Sequence, residues 1–270
     1  MSFTKPSETG KREGLRTLVM YAVIIFLLSA GNISCLTCKE VVVVSKNTNV
    51  TLKDLEKLSS KEIVNCLSHL GRVKLNNSQA GFIWNSIIDF YKDISNIPNE
   101  VLSLLRWITI AIKPKDYQNL TLSNLDVITN FGLDYGLSKE QLSAIADRVR
   151  EDKEPEDYTF YDLSALRQIL CVFEGDEIER IHPKAYKEAA VLIGKLKHCN
   201  YDVFEGFAKL ALDKDAFGSP DYWKIDTICI LGGVAKYLPE EVTLKLKGKL
   251  GDDFLKETDK HITREEDCDD

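Results

Sequence analysis

Extended apolar–polar alternation is nearly missing from this 270-residue chain, and with it the signature of half-buried strands. The one β-branched run, EVVVVS (40 to 45), reads either as a short strand or as an extended lead into the first helix. Histidine is scarce: four residues, scattered. The spacing Cys35-x-x-Cys38 has no second ligand pair downstream, so no metal site is expected. Also missing are G-x-x-x-x-G-K-[ST], G-x-S-x-G, H-E-x-x-H and an EF-hand loop. Those arrangements cradle phosphate on backbone N–H groups, expose a nucleophilic serine, or aim metal ligands from one helix or loop. No catalytic residue and no cofactor is therefore expected, and the chain reads as non-enzymatic. Positive charge is short as well, with 35 Lys and Arg against 42 Asp and Glu for a net charge of -7. Nucleic-acid binding, which needs clustered cations against phosphate, is disfavoured.

What is present begins at the N-terminus. Lys11, Arg12 and Arg16 precede LVMYAVIIFLLSAG (18 to 31), the basic and apolar regions of a secretory signal, followed by small residues. Residues 1 to 35 are read as that signal. The uncharged stretch from Thr17 to Cys38 is also long enough to stay in a bilayer as a signal-anchor, giving a type II membrane protein with a luminal helical scaffold or ligand-carrier domain. Either way the body of the chain lies outside the cytoplasm. Asn49-Val50-Thr51, Asn76-Asn77-Ser78 and Asn119-Leu120-Thr121 fit the N-glycosylation acceptor and agree with export.

Seven cysteines add to this reading, because an oxidising compartment pairs thiols. Cys38 and Cys66 are 28 positions apart, and so are Cys171 and Cys199, as if one disulfide type were used twice. The alternatives stay open: chance spacing with small buried thiols, and a simple antiparallel hairpin that would set Cys171 and Cys199 too far apart.

The body reads as helix after helix. In LSALRQILCVF (163 to 173) the apolar residues Leu163, Leu166, Ile169, Leu170 and Phe173 follow the rhythm of one buried helical face. Five helix starts share an apolar residue, a Ser or Pro and a charged first turn: LSSKEI (58), IPNEV (97), LSKEQL (137), IHPKAY (181) and LPEEV (238). Ser caps, Pro tolerates the first turn, and Glu faces the positive end of the dipole. Their spacings are 39, 40, 44 and 57, and the first three predict repeating helix pairs near the length of armadillo and HEAT units. The glycine pair Gly232-Gly233 reads as a helix end or close packing, Trp84, Trp107 and Trp223 as core, and the acidic group EDKEPEDY (151 to 158) as a solvated linker.

The segments YDLSALRQILCVFEGDEIERIHPKAYKEAAVLIGKLKHC (161 to 199) and DYWKIDTICILGGVAKYLPEEVTLKLKGKL (221 to 250) resemble the repeats of the mesothelin, stereocilin and otoancorin family, with LSNLDVITNFGLDYGLSKEQLSAI (122 to 145) as a weaker copy. The resemblance implies an all-α, superhelical, armadillo/HEAT-like stack of helix pairs over 36 to 250. It also implies a secreted or cell-surface location and a role in cell adhesion or in binding a protein or glycan of the cell surface or matrix. No binding residue carries over from the family. Members of the family typically end in a lipid-anchor signal, whereas residues 251 to 270 here have no apolar tail and read as an acidic, disordered end.

Overall fold

The computed structural model describes residues 50–258. The leader, the EVVVVS run, Asn49, Cys35, Cys38 and Cys268 fall outside the described residues, so the readings placed on them stand as expectations. Among the described residues the fold is all-α, built of helices and 3-10 turns without a strand, and no helix is long and apolar enough to cross a membrane.

The chain enters through α1 (Leu52–Leu55), α2 (Ser60–Asn65) and α3 (Leu67–Leu70), and then a pattern recurs. Helix α4 (Asn77–Tyr91) is followed by α5 (Asn99–Leu102) and a 3-10 turn over Arg106–Ala111. Next come α6 (Leu125–Phe131), α7 (Lys139–Asp152) and α8 (Phe160–Leu166) with a 3-10 turn over Arg167–Val172. After the short α9 (Gly175–Glu179) come α10 (Pro183–Ile193), α11 (Tyr201–Ala211) and α12 (Ile225–Leu231) with a 3-10 turn over Gly232–Tyr237. Helix α13 (Glu240–Leu250) follows.

The long middle helices α4, α7 and α11 start at 77, 139 and 201, a constant step of 62 residues. Their core positions keep the step: Ile83, Ile145 and Phe207 are each 0% exposed. The packing repeats as well, since each of these helices lies on the 3-10 turn closing its own unit, while α5, α6, α8, α10 and α12 pack successively on one another in a second row. The expected stack of paired helices is therefore what forms, but its period is about 62 residues, not about 40. The five starts that suggested the shorter period occupy different positions: LSSKEI and IHPKAY open first helices, LSKEQL a middle helix and IPNEV a last helix, while LPEEV opens α13 after the third unit has closed. Start signals look alike wherever a helix begins, so their spacing mixes positions.

A backbone clasp fixes unit geometry three times over. Gly71, Gly132 and Gly194 end the first helices, and their carbonyls accept hydrogen bonds from the N–H groups of Trp107 (3.2 Å), Gln168 (3.1 Å) and Gly233 (2.8 Å). All three glycines have ordinary right-handed dihedrals, so the residue is needed for closeness and not for φ. A Cβ on Gly132 would stand 2.6 Å from the Leu166 carbonyl oxygen and closer still to that of Ala165, and one on Gly194 would stand 2.5 Å from the Leu231 oxygen. The residue before each donor turns left-handed, Arg106 at φ 46, Arg167 at φ 41 and Gly232 at φ 55, which breaks the last helix and aims the next N–H at the clasp. The glycine pair predicted as a close-packed helix end is the third of these clasps.

Buried amides extend the lock between units. Asn130, 4% exposed, donates through Nδ2 to the Leu102 carbonyl (2.9 Å) and accepts through Oδ1 from Arg106 N–H (2.8 Å). Gln141, in the capping box of α7, donates to the Ile112 carbonyl (2.8 Å) of the unit before it. Asn130→Leu strands both backbone groups in an apolar surround and is expected to lower unfolding free energy by about 3 kcal/mol; urea denaturation of the two proteins side by side measures it.

At the C-terminal side, Pro239 caps α13, Leu238 is buried and Glu240 and Glu241 occupy its first turn, as the sequence predicts. Residues 252–258, assigned from sequence to the tail, are helical, and Phe254 is 2% exposed. Its ring supplies the apolar anchor that the acid-rich composition around it conceals. The acidic stretch 151 to 158 also differs from a solvated linker. Pro155 is buried, and the Arg180 guanidinium reaches back to Glu156 (2.6 Å) and Glu154 (2.9 Å).

Candidate interaction surfaces

The sequence-predicted sites are spread over the stack. Cys171 and Cys199 are joined by a disulfide, with Cα atoms 4.2 Å apart. The hairpin objection fails because Cys199 is not on α10. The helix ends at Ile193, the chain turns through His198 at φ 56, and Cys199 returns beside the 3-10 turn that carries Cys171. Cys66, 0% exposed between α2 and α3, is disulfide-bonded too, to a partner outside the described residues. The pairing of Cys38 with Cys66 remains the expectation set by spacing.

Asn76 caps α4 and is exposed; its Oδ1 accepts from Gln79 N–H at 3.0 Å, leaving Nδ2 as the atom a glycan would take. Asn119, exposed, closes the 3-10 turn Pro114–Asn119. A chain secreted from a glycosylating cell is expected to lose mass on endoglycosidase treatment, and Asn76→Gln with Asn119→Gln to lose two glycans; a mass unmoved by the enzyme contradicts the acceptor reading.

Trp84 and Trp223 are core, the latter donating through Nε1 to the Phe217 (3.0 Å) and Gly218 (3.1 Å) carbonyls. Trp107 is half-buried, stacked edge-on against Tyr135 with the Lys74 ammonium over its ring.

Clefts open on this framework among the described residues. One of about 390 Å³ lies between α11 and α13. Tyr201, 63% exposed, meets Tyr237 edge-on at 5.3 Å, and Tyr237 stacks on the buried Phe204 at 4.8 Å, so an aromatic wall is anchored in the core. Leu244, 61% exposed, stands among the lining residues with Pro239, and Glu205, Lys209, Glu240 and Lys247 supply charge. Lys209 binds Glu179 at 2.8 Å; that hydrogen bond holds its ammonium above the ordinary lysine range. An exposed aromatic wall with a charged rim is the anatomy of a protein-binding surface. The signal for it in the sequence was the Tyr201 and Leu244 positions on the polar faces of their helices, which sequence reasoning passed over.

A second cleft of about 260 Å³ lies among α6, α7 and α8. Inside it Lys153 pairs with Asp162 at 2.7 Å. Burial works to raise the Asp162 carboxyl, but hydrogen bonds from Lys153 and Thr159 together hold it below the ordinary carboxylate range. The same carboxylate caps α8, so its work is structural. The third cleft, also about 260 Å³, lies over the Gly132 clasp and is lined by Arg167, Lys195 and Lys197.

Fold and surfaces together define an all-α repeat protein that presents shallow clefts along a clasped stack. Its similarities lie in one group. The chain is 25% identical to stereocilin of Mus musculus over 157 residues, 57% of this chain and 9% of that protein. It is 24% identical to the putative stereocilin-like protein of Homo sapiens, over the same shares of each. With otoancorin of Mus musculus it shares 27% over 142 residues, 51% of this chain and 12% of the relative. The resemblance to the stereocilin and otoancorin group seen in the repeats is thus supported, at a distance. The matched part spans about a tenth of the curated relatives' length. No protein-family model matches the chain.

Proposed function

We propose that this chain is a non-enzymatic extracellular helical repeat protein, its units stacked as a superhelix, that acts in cell adhesion by binding a protein or glycan of the cell surface or matrix. The observation that carries the reading is the anchored aromatic wall of Tyr201 and Tyr237 with exposed Leu244 beside it, apolar surface held rigidly outward. The Cys171–Cys199 disulfide and the exposed acceptors Asn76 and Asn119 support an oxidising, glycosylating compartment. The distant likeness to stereocilin and otoancorin supports the placing of such repeats in that setting.

The test is binding of the labelled, secreted chain to cells or deposited matrix. Replacing both Tyr201 and Leu244 by Ala is expected to weaken binding at least about thirtyfold, the effect of losing a hot spot worth about 2 kcal/mol or more, with unchanged thermal unfolding. Undiminished binding by a folded double variant contradicts the assignment of this surface. The second reading, a retained anchor, rests on the uncharged stretch from Thr17 to Cys38. Sequencing the mature N-terminus separates the two: a start near 32 to 39 fits secretion, an intact N-terminus fits the anchor.

A further inference from the structure

The positions around the first two clasps are equivalent in the repeat and differ in their side chains. Around the Gly71 clasp the positions hold Trp107 and Tyr135, whose rings meet at 5.1 Å with Lys74 over the indole. Around the Gly132 clasp the corresponding residues, 61 and 62 positions on, are Gln168 and Lys197. Loss of two aromatic rings leaves a cleft of about 260 Å³. Its floor is Leu133, Leu192 and Leu196, and its rim carries Arg167, Lys195 and Lys197 with one carboxylate, Asp134. None of the three cations has a carboxylate partner within ion-pair distance among the described residues, so their charge is open to a ligand in the cleft.

The rim is also held in place. Gln168 Nε2 donates to the Lys197 carbonyl, the Arg167 Nε donates to the Ser164 carbonyl at 2.8 Å, and the Cys171–Cys199 disulfide ties the loop after Lys197 to the turn carrying Arg167 and Gln168. On a chain of net charge -7, three unpaired cations converging from two segments on a fixed apolar floor do not reflect the general field.

We propose that this cleft binds an oxyanion group, sulfate or carboxylate, carried on a sugar ring that lies on the leucine floor: an acidic glycan. The oxyanion preference follows from the three cations; the glycan as carrier rests on the extracellular reading above. The volume, below the ~300 Å³ at which drug-sized pockets begin, suits one charged ring and not a whole oligosaccharide.

Isothermal titration of the secreted, disulfide-intact chain with a heparin-derived tetrasaccharide, its desulfated and carboxyl-reduced counterpart and inorganic sulfate tests this. Binding of the sulfated probe that fades with added salt, with no binding of the desulfated one, is expected. Each of Lys195→Gln, Lys197→Gln and Arg167→Gly is expected to weaken binding about tenfold, the loss of one charge-assisted hydrogen bond. Arg167→Gly removes the charge at a left-handed position that glycine accepts freely, so it keeps the fold. Lys214→Gln, on an exposed lysine outside the cleft, is expected to change nothing. Equal binding of both saccharides, tighter binding of free sulfate than of the tetrasaccharide, or indifference to all three cleft substitutions overturns the proposal. Binding through these cations by a chain shown to retain an unprocessed, cytoplasmic body would keep the site and sink the extracellular reading instead.

Discussion

Gly132→Ala is expected to unfold this protein at temperatures where the parent is fully native, with a loss of about 3 kcal/mol or more. The argument is steric. The added methyl would stand 2.6 Å from the Leu166 carbonyl oxygen and nearer still to that of Ala165, both backbone atoms that cannot rotate away. Relief requires α6 and α8 to separate, which lengthens the bond from Gln168 N–H to the Gly132 carbonyl and exposes Phe131 and Leu166, 0% and 1% exposed. Ala is otherwise the better helix former, so the propensity effect runs the other way and is too small to compensate. The internal control is Gly248→Ala, on an exposed turn of α13 with nothing within 4 Å of the new Cβ; it is expected to stabilise by about 0.5–1 kcal/mol. Thermal melts of both proteins decide, and equal effects from the two substitutions would show that close approach is not what the clasp glycines serve.

Removing the Cys171–Cys199 disulfide is the second large effect. Replacing both by Ala frees a loop closed across 28 positions and is expected to cost about 3.5 kcal/mol in the chain-entropy account. With reductant added to both proteins, which opens the Cys66 disulfide in each, the denaturation midpoints of the parent and the double variant should coincide. The same substitution loosens the turn between α10 and α11 at His198, so unit three should become sensitive to protease there first. The equivalent junction one unit earlier has Ile110 and Leu137 at the matching positions, both half-buried against the core, and is untouched by reductant.

The class of fold was open to reading because helix caps and 3.6-residue rhythm are local. Ser138, for instance, caps α7 as its sequence context predicts, and Leu163, Leu166, Ile169 and Leu170 face inward as spaced. The period was not open, because first and last helices of a unit carry the same L-x-x-L pattern, so LDVITNFG and LSALRQIL align with each other although they are α6 and α8 of one unit. What separates them is the clasp, a hydrogen bond between residues 36 to 39 apart in the chain, and no local pattern encodes its partner. The same holds for the stretch 151 to 158, whose acids are drawn in by Arg180, 24 and 26 residues away. Of the candidate sites, the asparagines proposed as glycan acceptors were legible as tripeptides. The basic cleft was not, since it appears only when Gln168 and Lys197 are set against Trp107 and Tyr135 in the correct register.

Hydrogen exchange at the amides of Trp107, Gln168 and Gly233 tests the three-fold clasp most directly. Each sits at a broken helix end, where an N–H without a partner exchanges within seconds to minutes, yet each donates to a glycine carbonyl of another helix. The clasped stack predicts protection at all three comparable to that of the core amides of α4, α7 and α11, lost together in Gly132→Ala. Free exchange at these three positions in an otherwise folded chain would contradict it.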